Sequence, residues 1–442
     1  MRINGYLARS SLVAALGGLL FGLDTAVISG ATGALTTTFS LTEATLGQTV
    51  AAALYGTILG AMLGGIPGDR YGRRNSLRIT AVLYLISALG CALAFNWYAF
   101  VLARFIGGLG IGASSVLGPM YIAEIAPPKQ RGRLVGFFQF NIVFGILLAY
   151  FSNYVVGTLG FGDLEWRWKL GVPAIPAALF LILLFTIPES PRWLATRGRL
   201  KEAEDVLRSI GDPDYQKGLA EIAASVDARH GADSEPLFRR KYRFPIFLAV
   251  SIGMFNQLSG INAVLYYLND IFAKAGFTKV SSDRQAVVVG ATNLLFTMLA
   301  MSVIDKIGRK TLLLIGSIGT ALSLVGVAAI FLAGTHQDLL VWCLVGFIAF
   351  FAFSQGAVIW VYLSEVFPTR VRAKGQSLGS FTHWIMNALI SGIFPVLAKS
   401  SGGVPFVFFA AMMVVQFFVV LATYPETKGY SLEEMQRKLG IE

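Results

Sequence analysis

The sequence predicts an all-α membrane protein: twelve transmembrane helices in two pseudo-symmetric six-helix bundles, with short cytoplasmic helices between them. Three observations predict it. Of 442 residues, 55% are hydrophobic and only 14% charged, against about 25% charged in a soluble domain, so most of the chain has no water-facing side. The apolar residues fall in runs of about 20, the length that crosses a hydrocarbon core of about 30 Å. A basic signature is also written twice: Asp69-Arg70-Tyr71-Gly72-Arg73-Arg74 returns as Asp305-Lys306-Ile307-Gly308-Arg309-Lys310. Its landmarks return with it, Glu124 and Arg131 as Glu365 and Arg372, Pro188-Glu189-Ser190 as Pro425-Glu426-Thr427. The steps from 69 to 305, 124 to 365 and 188 to 425 are 236, 241 and 237 residues, so a whole half is duplicated.

The first apolar run, 11–32, follows Arg2 and Arg9 as a signal peptide would. No cleavage site follows and the run continues past Asp24, so it is read as a retained span. Runs at 46–67, 77–95, 99–122, 133–157 and 170–187 complete the first half. The second half repeats the pattern at 243–271, 285–304, 311–333, 338–363, 376–397 and 404–423. Between them lies a polar stretch in which Leu200, Ala203, Val206, Leu207 and Ile210 recur at helical spacing until Gly211-Asp212-Pro213 stops them. A second helix is expected from Tyr215 to about Arg229, before Gly231-Ala232-Asp233-Ser234 loosens the chain. The domains are therefore expected at 1–191 and 243–425, with a helical linker at 192–242 and a tail at 426–442. The linker is too short for a core of its own and should lie against the membrane helices.

The net charge of +11 follows from topology. Arg70, Arg73, Arg74, Arg78, Lys129, Arg131, Arg133, Arg309, Lys310, Arg370, Arg372 and Lys374 all fall on one side of a twelve-span chain. The positive-inside rule makes that side cytoplasmic and puts both termini there, in contact with membrane lipids. Nucleic-acid binding is excluded, because no soluble recognition motif accompanies the cations. Cys91 and Cys343 sit inside spans in opposite halves and read as small buried hydrophobes, with no disulfide framework and no metal site.

Four strings carry a family resemblance: Gly68-Asp69-Arg70-Tyr71-Gly72-Arg73-Arg74, Pro188-Glu189-Ser190-Pro191-Arg192-Trp193-Leu194, Gln257-Leu258-Ser259-Gly260-Ile261-Asn262 and Pro425-Glu426-Thr427-Lys428-Gly429. With these the chain resembles a sugar porter of the major facilitator superfamily over nearly its full length. The resemblance implies the major facilitator fold and transport of a monosaccharide, hexose or pentose, by alternating access. It points to a bacterial inner membrane and, from Asp24, to coupling by proton symport. A passive facilitator with a structural Asp24 and a sugar receptor that does not transport are the rival readings. No cofactor is expected, and an enzyme is not, since no nucleophile, base and oxyanion set is present. The chain is expected to work as a monomer.

Asp24 is an acid in the middle of an apolar span, where an ionisable group needs a partner and faces a cavity. The partner expected is Arg104, the one basic residue inside span 4. The low dielectric and the guanidinium act in opposite senses on its proton affinity, which suits a group that must gain and lose a proton. In the family, proton-coupled members resemble this chain in carrying an aspartate here.

A neutral polyol is best held by amides, which both donate and accept, and by aromatic faces that cover its C–H side. Gln139, Gln257, Asn262, Asn293 and Trp360 match the family's substrate-contacting positions. Trp384 and Asn387 are three apart and share a helix face. Gln257 and Asn262 are five apart, which on an unbroken helix is about 140°. A break at Ser259-Gly260 is therefore expected, as in other transporter sites, and beyond it Tyr266 and Tyr267 would close over the sugar. Two departures stand out. Asn256 replaces the second glutamine many relatives carry beside Gln257, and the stretch Gly356–Trp360 lacks the prolines that would break span 10. An unperturbed histidine titrates at about pH 6.5, which would suit a second proton site, but His383 is one lone histidine beside a tryptophan and is read as packed rather than as a coupling group.

The charges at the basic span ends are expected to control conformation. By the resemblance, Arg73, Arg74, Glu124, Arg131, Glu189, Arg309, Lys310, Glu365, Arg372 and Glu426 form a salt-bridge network tying the halves together when the outside is open. Single exposed pairs contribute about 0–1 kcal/mol, but several bias an equilibrium between states a few kcal/mol apart. The Arg192-Trp193 turn that follows Glu189 is expected to act as a latch.

Overall fold

The computed structural model describes residues 4–127, 130–211, 215–229, 235–368, 370–430 and 432–441. All regular elements among them are helices. Twelve are long and apolar enough to cross a membrane: Gly5–Gly30, Glu43–Leu63, Arg73–Leu93, Trp97–Ile125, Arg131–Thr158, Gly162–Leu183, Arg240–Tyr266, Lys279–Ile307, Arg309–Ala333, Gln337–Glu365, Arg372–Lys399 and Val404–Thr423. They are numbered spans 1 to 12 below. Several start earlier than the apolar run does, as at Arg131 and Arg372, because polar residues extend the helix beyond its hydrophobic part.

Close contacts divide the chain into two units. The first comprises Met1–Thr25, Tyr55–Ala149 and Arg167–Asp233; the second comprises Ala26–Leu54, Tyr150–Trp166 and Ser234–Glu442. The first unit's core runs from Leu7, Val13 and Leu20 through Leu77, Tyr84, Ile111, Leu117 and Phe138 to Phe180 and Leu184. Ala195, Leu207, Ile210 and Ile222 belong to it as well. The linker helices Pro191–Thr196, Leu200–Ser209 and Tyr215–Arg229 thus bury their apolar stripes in the membrane unit, since they have too little surface to make a core alone. The expected loosening at 231–234 lies outside the described residues. The second unit's core joins Leu248, Ile252, Leu312, Ile359, Leu363 and Val420, and the tail helix Leu432–Lys438 adds Met435.

Spans 7 and 10 are each interrupted within their length. Span 7 is helical over Arg243–Leu258 and again over Ile261–Tyr266, with Gly260 between them at φ +82°. A side chain at Gly260 would be strained by that φ, and its Cβ would lie 2.3 Å from the Phe409 ring. Span 10 breaks as well, although it has no proline there. Ser354 (φ −124°, ψ −90°) separates Leu340–Phe353 from Gln355–Glu365. Its hydroxyl donates back to the Phe350 carbonyl at 2.6 Å, a side-chain bond that bends helices.

Candidate functional site

In the first unit, Asn96 starts span 4 by accepting the Ala99 N–H at 2.8 Å, and two turns later that helix presents Arg104 to Asp24. Both are shut away from solvent, the Arg104 side chain 3% and the Asp24 side chain 9% exposed. One guanidinium nitrogen, Nη1, donates to both carboxylate oxygens at 3.0 Å and to the Asp24 carbonyl at 3.4 Å. A fork-to-fork pair would use two nitrogens. Here Nε–H of Arg104 has no hydrogen-bond partner, so the pair is only partly satisfied. A fixed structural bridge in hydrocarbon would be expected to satisfy every donor, since an uncompensated buried donor destabilises by about 1–3 kcal/mol.

In the second unit, the break in span 7 turns three amides into one chain. Asn262 Nδ2 donates to Gln257 Oε1 at 3.0 Å, and Gln257 Nε2 donates to Asn256 Oδ1 at 3.0 Å. Asn256 Nδ2 in turn reaches the Gln355 carbonyl at 3.4 Å, at the break in span 10. Gln257 Nε2 also lies 3.3 Å from each ring nitrogen of His383. That histidine is buried between two indoles, 5.1 Å from Trp360 and 5.0 Å from Trp384 by ring centroids. His383 is thus part of the cluster, a placement the sequence did not signal. Trp360 is the open member at 40% exposure, whereas Trp384 is buried. Asn387 donates to the Tyr266 hydroxyl at 3.2 Å and accepts from Ser391 at 3.0 Å.

Both tyrosines expected over the sugar are buried. The Tyr267 hydroxyl donates to the Ser391 carbonyl at 2.9 Å and its ring stacks on Phe394. Asn293 is buried on span 8 and Gln139 is half-buried on span 5, in the first unit. Neither side chain has a hydrogen-bond partner among the described residues, so both amides have donors and acceptors to offer.

The basic ends of the spans carry the same clamp twice, once in each unit. Arg73 donates through Nε and Nη2 to Glu124 at 2.9 and 3.0 Å, and Arg309 does the same to Glu365 at 3.2 and 2.9 Å. Their Nη1 groups turn back to Asp69 at 2.9 Å and Asp305 at 2.8 Å. Glu189 accepts the Arg74 and Ser190 N–H groups at 3.0 and 2.9 Å. Glu426 accepts those of Arg309, Lys310, Thr427 and Lys428 at 2.9, 3.0, 2.9 and 3.0 Å. Each acid therefore sits on a helix N-terminus, where free N–H groups and the helix dipole favour an anion. Gly72 (φ +93°) and Gly308 (φ +103°) make room for them. A Cβ there would lie 2.3 Å from Glu189 Oε2 and 2.5 Å from Glu426 Oε2. Burial pushes the Glu426 carboxyl up, but four backbone N–H donors outweigh it and hold the group below its ordinary range.

The bonds described for Glu124 and Glu365 go to Arg73 and Arg309, with Ser190 and Thr427 hydroxyls added, rather than to the arginines seven residues on. Span 4 ends at Ile125 and a new helix begins at Arg131, so the seven-residue spacing does not lie on one helix face. The same happens between Glu365 and Arg372, whose Nε instead donates to the Phe367 carbonyl at 3.3 Å. The Arg192-Trp193 turn is held to the first clamp. Trp193 Nε1 donates to the Asp69 carbonyl at 2.9 Å, and Arg197 reaches the same oxygen at 2.9 Å.

At the opposite end of the second unit, the ends of spans 1, 5 and 6 are braced to span 7, the short helix after it and span 8. Tyr150 donates to the Leu265 carbonyl at 2.8 Å, Ser29 to Asn269 at 3.3 Å, and Lys279 pairs with Glu165 at 3.0 Å.

Comparison with known proteins matches this architecture. Residues 10–439 match the family model described as sugar (and other) transporter. The D-xylose-proton symporter of Escherichia coli (strain K12) is 39% identical, over 98% of this chain and 96% of its own. The arabinose-proton symporter of Bacillus subtilis (strain 168) is 36% identical, over 98% and 95%. The inward open conformation of the xylose transporter XylE from E. coli superimposes with a TM-score of 0.88 at 39% identity, covering 98% of this chain and 100% of that one. The chain belongs to the sugar transporter family and has its twelve-helix major facilitator fold.

Proposed function

We propose that this protein imports a monosaccharide, a hexose or pentose, across the bacterial inner membrane by proton symport, with both termini in the cytoplasm. Asp24 takes a proton from outside, which releases Arg104 and permits sugar binding and closure. The protein then opens inward, sugar and proton leave, and the ion pair re-forms. Gln139, Gln257, Asn262, Asn293 and Asn387 bind the hydroxyls. Asn256 sets the depth of the site, Trp360 and Trp384 cover the ring, and Tyr266 and Tyr267 gate it. His383, seated on Gln257, adds an imidazole whose ring nitrogens can donate or accept. The two clamps bias the equilibrium between inward and outward states.

The observation that carries this reading is the Asp24–Arg104 pair, buried in an apolar unit yet left with an unmatched donor. The names of the two symporters above support the same reading. It is tested by adding a panel of hexoses, pentoses and amphipathic cations to proteoliposomes and recording external pH. One or more sugars should alkalinise the medium and the cations should not. Sugar entry with no proton movement would make the protein a passive facilitator.

A further inference from the structure

Beyond Tyr266, where the spanning part of span 7 ends, the chain kinks at Tyr267 and forms a short helix, Leu268–Lys274. This helix carries an acid for which the cycle above has no use. Asp270 Oδ2 is closed off from solvent and has no hydrogen-bond partner. The other bonding comes from the Thr32 side chain, near the end of span 1. The charged groups around it are few. Lys274, one turn on, is engaged by the Ala398 carbonyl at 2.6 Å. Glu43, at the start of span 2, adds negative charge. Asp283 on span 8 is bonded to Asn269, the neighbour of Asp270. A carboxylate in this position faces Glu43, the Tyr267 hydroxyl beside it and one lysine already shared with a carbonyl, and it has one oxygen that no donor reaches.

We infer that Asp270 is a second proton-binding site, separate from Asp24, and that its proton holds this end of the protein closed. The direction follows from linkage. Burial pushes the Asp270 carboxyl up to about 6, with the Thr32 bond and Lys274 opposing the rise and Glu43 adding to it. When the brace opens, the group returns to water and to an ordinary value of about 3.9. The closed form then binds the proton more tightly, so acid favours closure. The stabilisation is complete below about pH 3.9 and is lost as pH rises through the closed-state value. From pH 7.5 to pH 5 the closed form gains about tenfold over the open one. Resting on the import reading, this end faces the outside, and the site would slow re-opening toward an acidic medium. Its proton enters and leaves on one side and drives nothing.

The test is hydrogen exchange of the peptides covering 28–40 and 266–276, corrected for intrinsic exchange, in the full-length protein at pH 7.5 and 5. Exchange should fall about tenfold on acidification in wild type. Asp270→Asn, a permanently neutral side chain, should show the low rate at both pH values. Thr32→Val removes the bond that favours the carboxylate and should move the transition to higher pH. A full acid response in Asp270→Asn, or a Thr32→Val transition that does not move, would overturn the proposal. Because the readout is exchange and not uptake, failure of proton-coupled transport leaves this result separately legible.

Discussion

The two halves of the sequence share a scaffold but not a chemistry. Their clamps correspond group by group: Arg73, Glu124, Glu189 and Gly72 in one, Arg309, Glu365, Glu426 and Gly308 in the other. The buried charge pair has no such counterpart. Shifting Asp24 by 236 residues gives Gly260, and shifting Arg104 by 236 to 241 falls within 340–345, a run of apolar residues. The amides are lopsided the other way, since Gln257, Asn262 and Asn293 map back to Phe21, Ala26 and Thr57. Duplication is kept in the clamps and lost at the buried charge pair and at the span 7 amides. The buried charge pair lies in the first half, and all of the candidate amides except Gln139 lie in the second.

The largest effect should come from stranding half of the charge pair. Arg104→Gln leaves a carboxylate alone in a low-dielectric unit, and removing one partner of a buried pair destabilises by about 3–5 kcal/mol. Thermal unfolding in detergent should show a large fall, mostly restored in Asp24→Asn/Arg104→Gln, where no charge is left. A double variant as unstable as Arg104→Gln alone would mean that the arginine acts by packing.

Next comes the amide half. Gln257→Ala removes a side chain that bonds Asn256, Asn262 and His383 at once. Sugar binding should weaken by about 10–100-fold, in keeping with one or two lost hydrogen bonds and an unpaired neighbour. The proton response of Asp24 should remain. Equal loss of both functions would contradict the division between the halves.

The clamps offer the smaller and sharper comparison. Glu124→Gln and Glu365→Gln should shift the conformational equilibrium by similar, few-fold amounts, because Arg73 and Arg309 keep Asp69 and Asp305 as counter-charges. This is read as the rate of inward-side cysteine labelling. Gly72→Ala and Gly308→Ala should each be worse than the Gln variants, because they combine a strained φ with a collision.

The smallest effect is a pH effect. Glu426 is held below its ordinary range in the folded protein, so its contribution is present above the unfolded value of about 4.3 and is lost as pH falls through the folded value. Acid unfolding should steepen below about pH 4 in wild type and less so in Glu426→Gln. Identical acid limbs would show that the four N–H groups do not act through its charge.

Much of this was legible in the sequence because it is written in periodicity and repetition. Apolar run length predicts the twelve spans, and the five-residue step from Gln257 to Asn262 predicts the break that Gly260 makes. Partner choice is another matter. Glu124 and Arg131 recur together in both halves, yet the helix ends between them and tertiary packing hands the acid to Arg73. The break at Ser354 carries no proline and is visible only from its dihedrals and its bond to Phe350. His383 offers no spacing to read, since its role depends on Trp360 and Gln257 from two other spans. Asp270 falls at the end of the apolar run 243–271, and nothing in the sequence signals the Thr32 and Glu43 that the fold places around it.

The central claim is that one buried carboxylate couples the proton gradient to sugar movement. Its most direct test is sugar accumulation in proteoliposomes with and without an inward proton gradient, for wild type and Asp24→Asn. The gradient should drive accumulation in wild type, while the variant should only equilibrate or exchange sugar. Wild type that equilibrates sugar regardless of the gradient, or a variant that still accumulates it, would show that Asp24 does not couple proton and sugar.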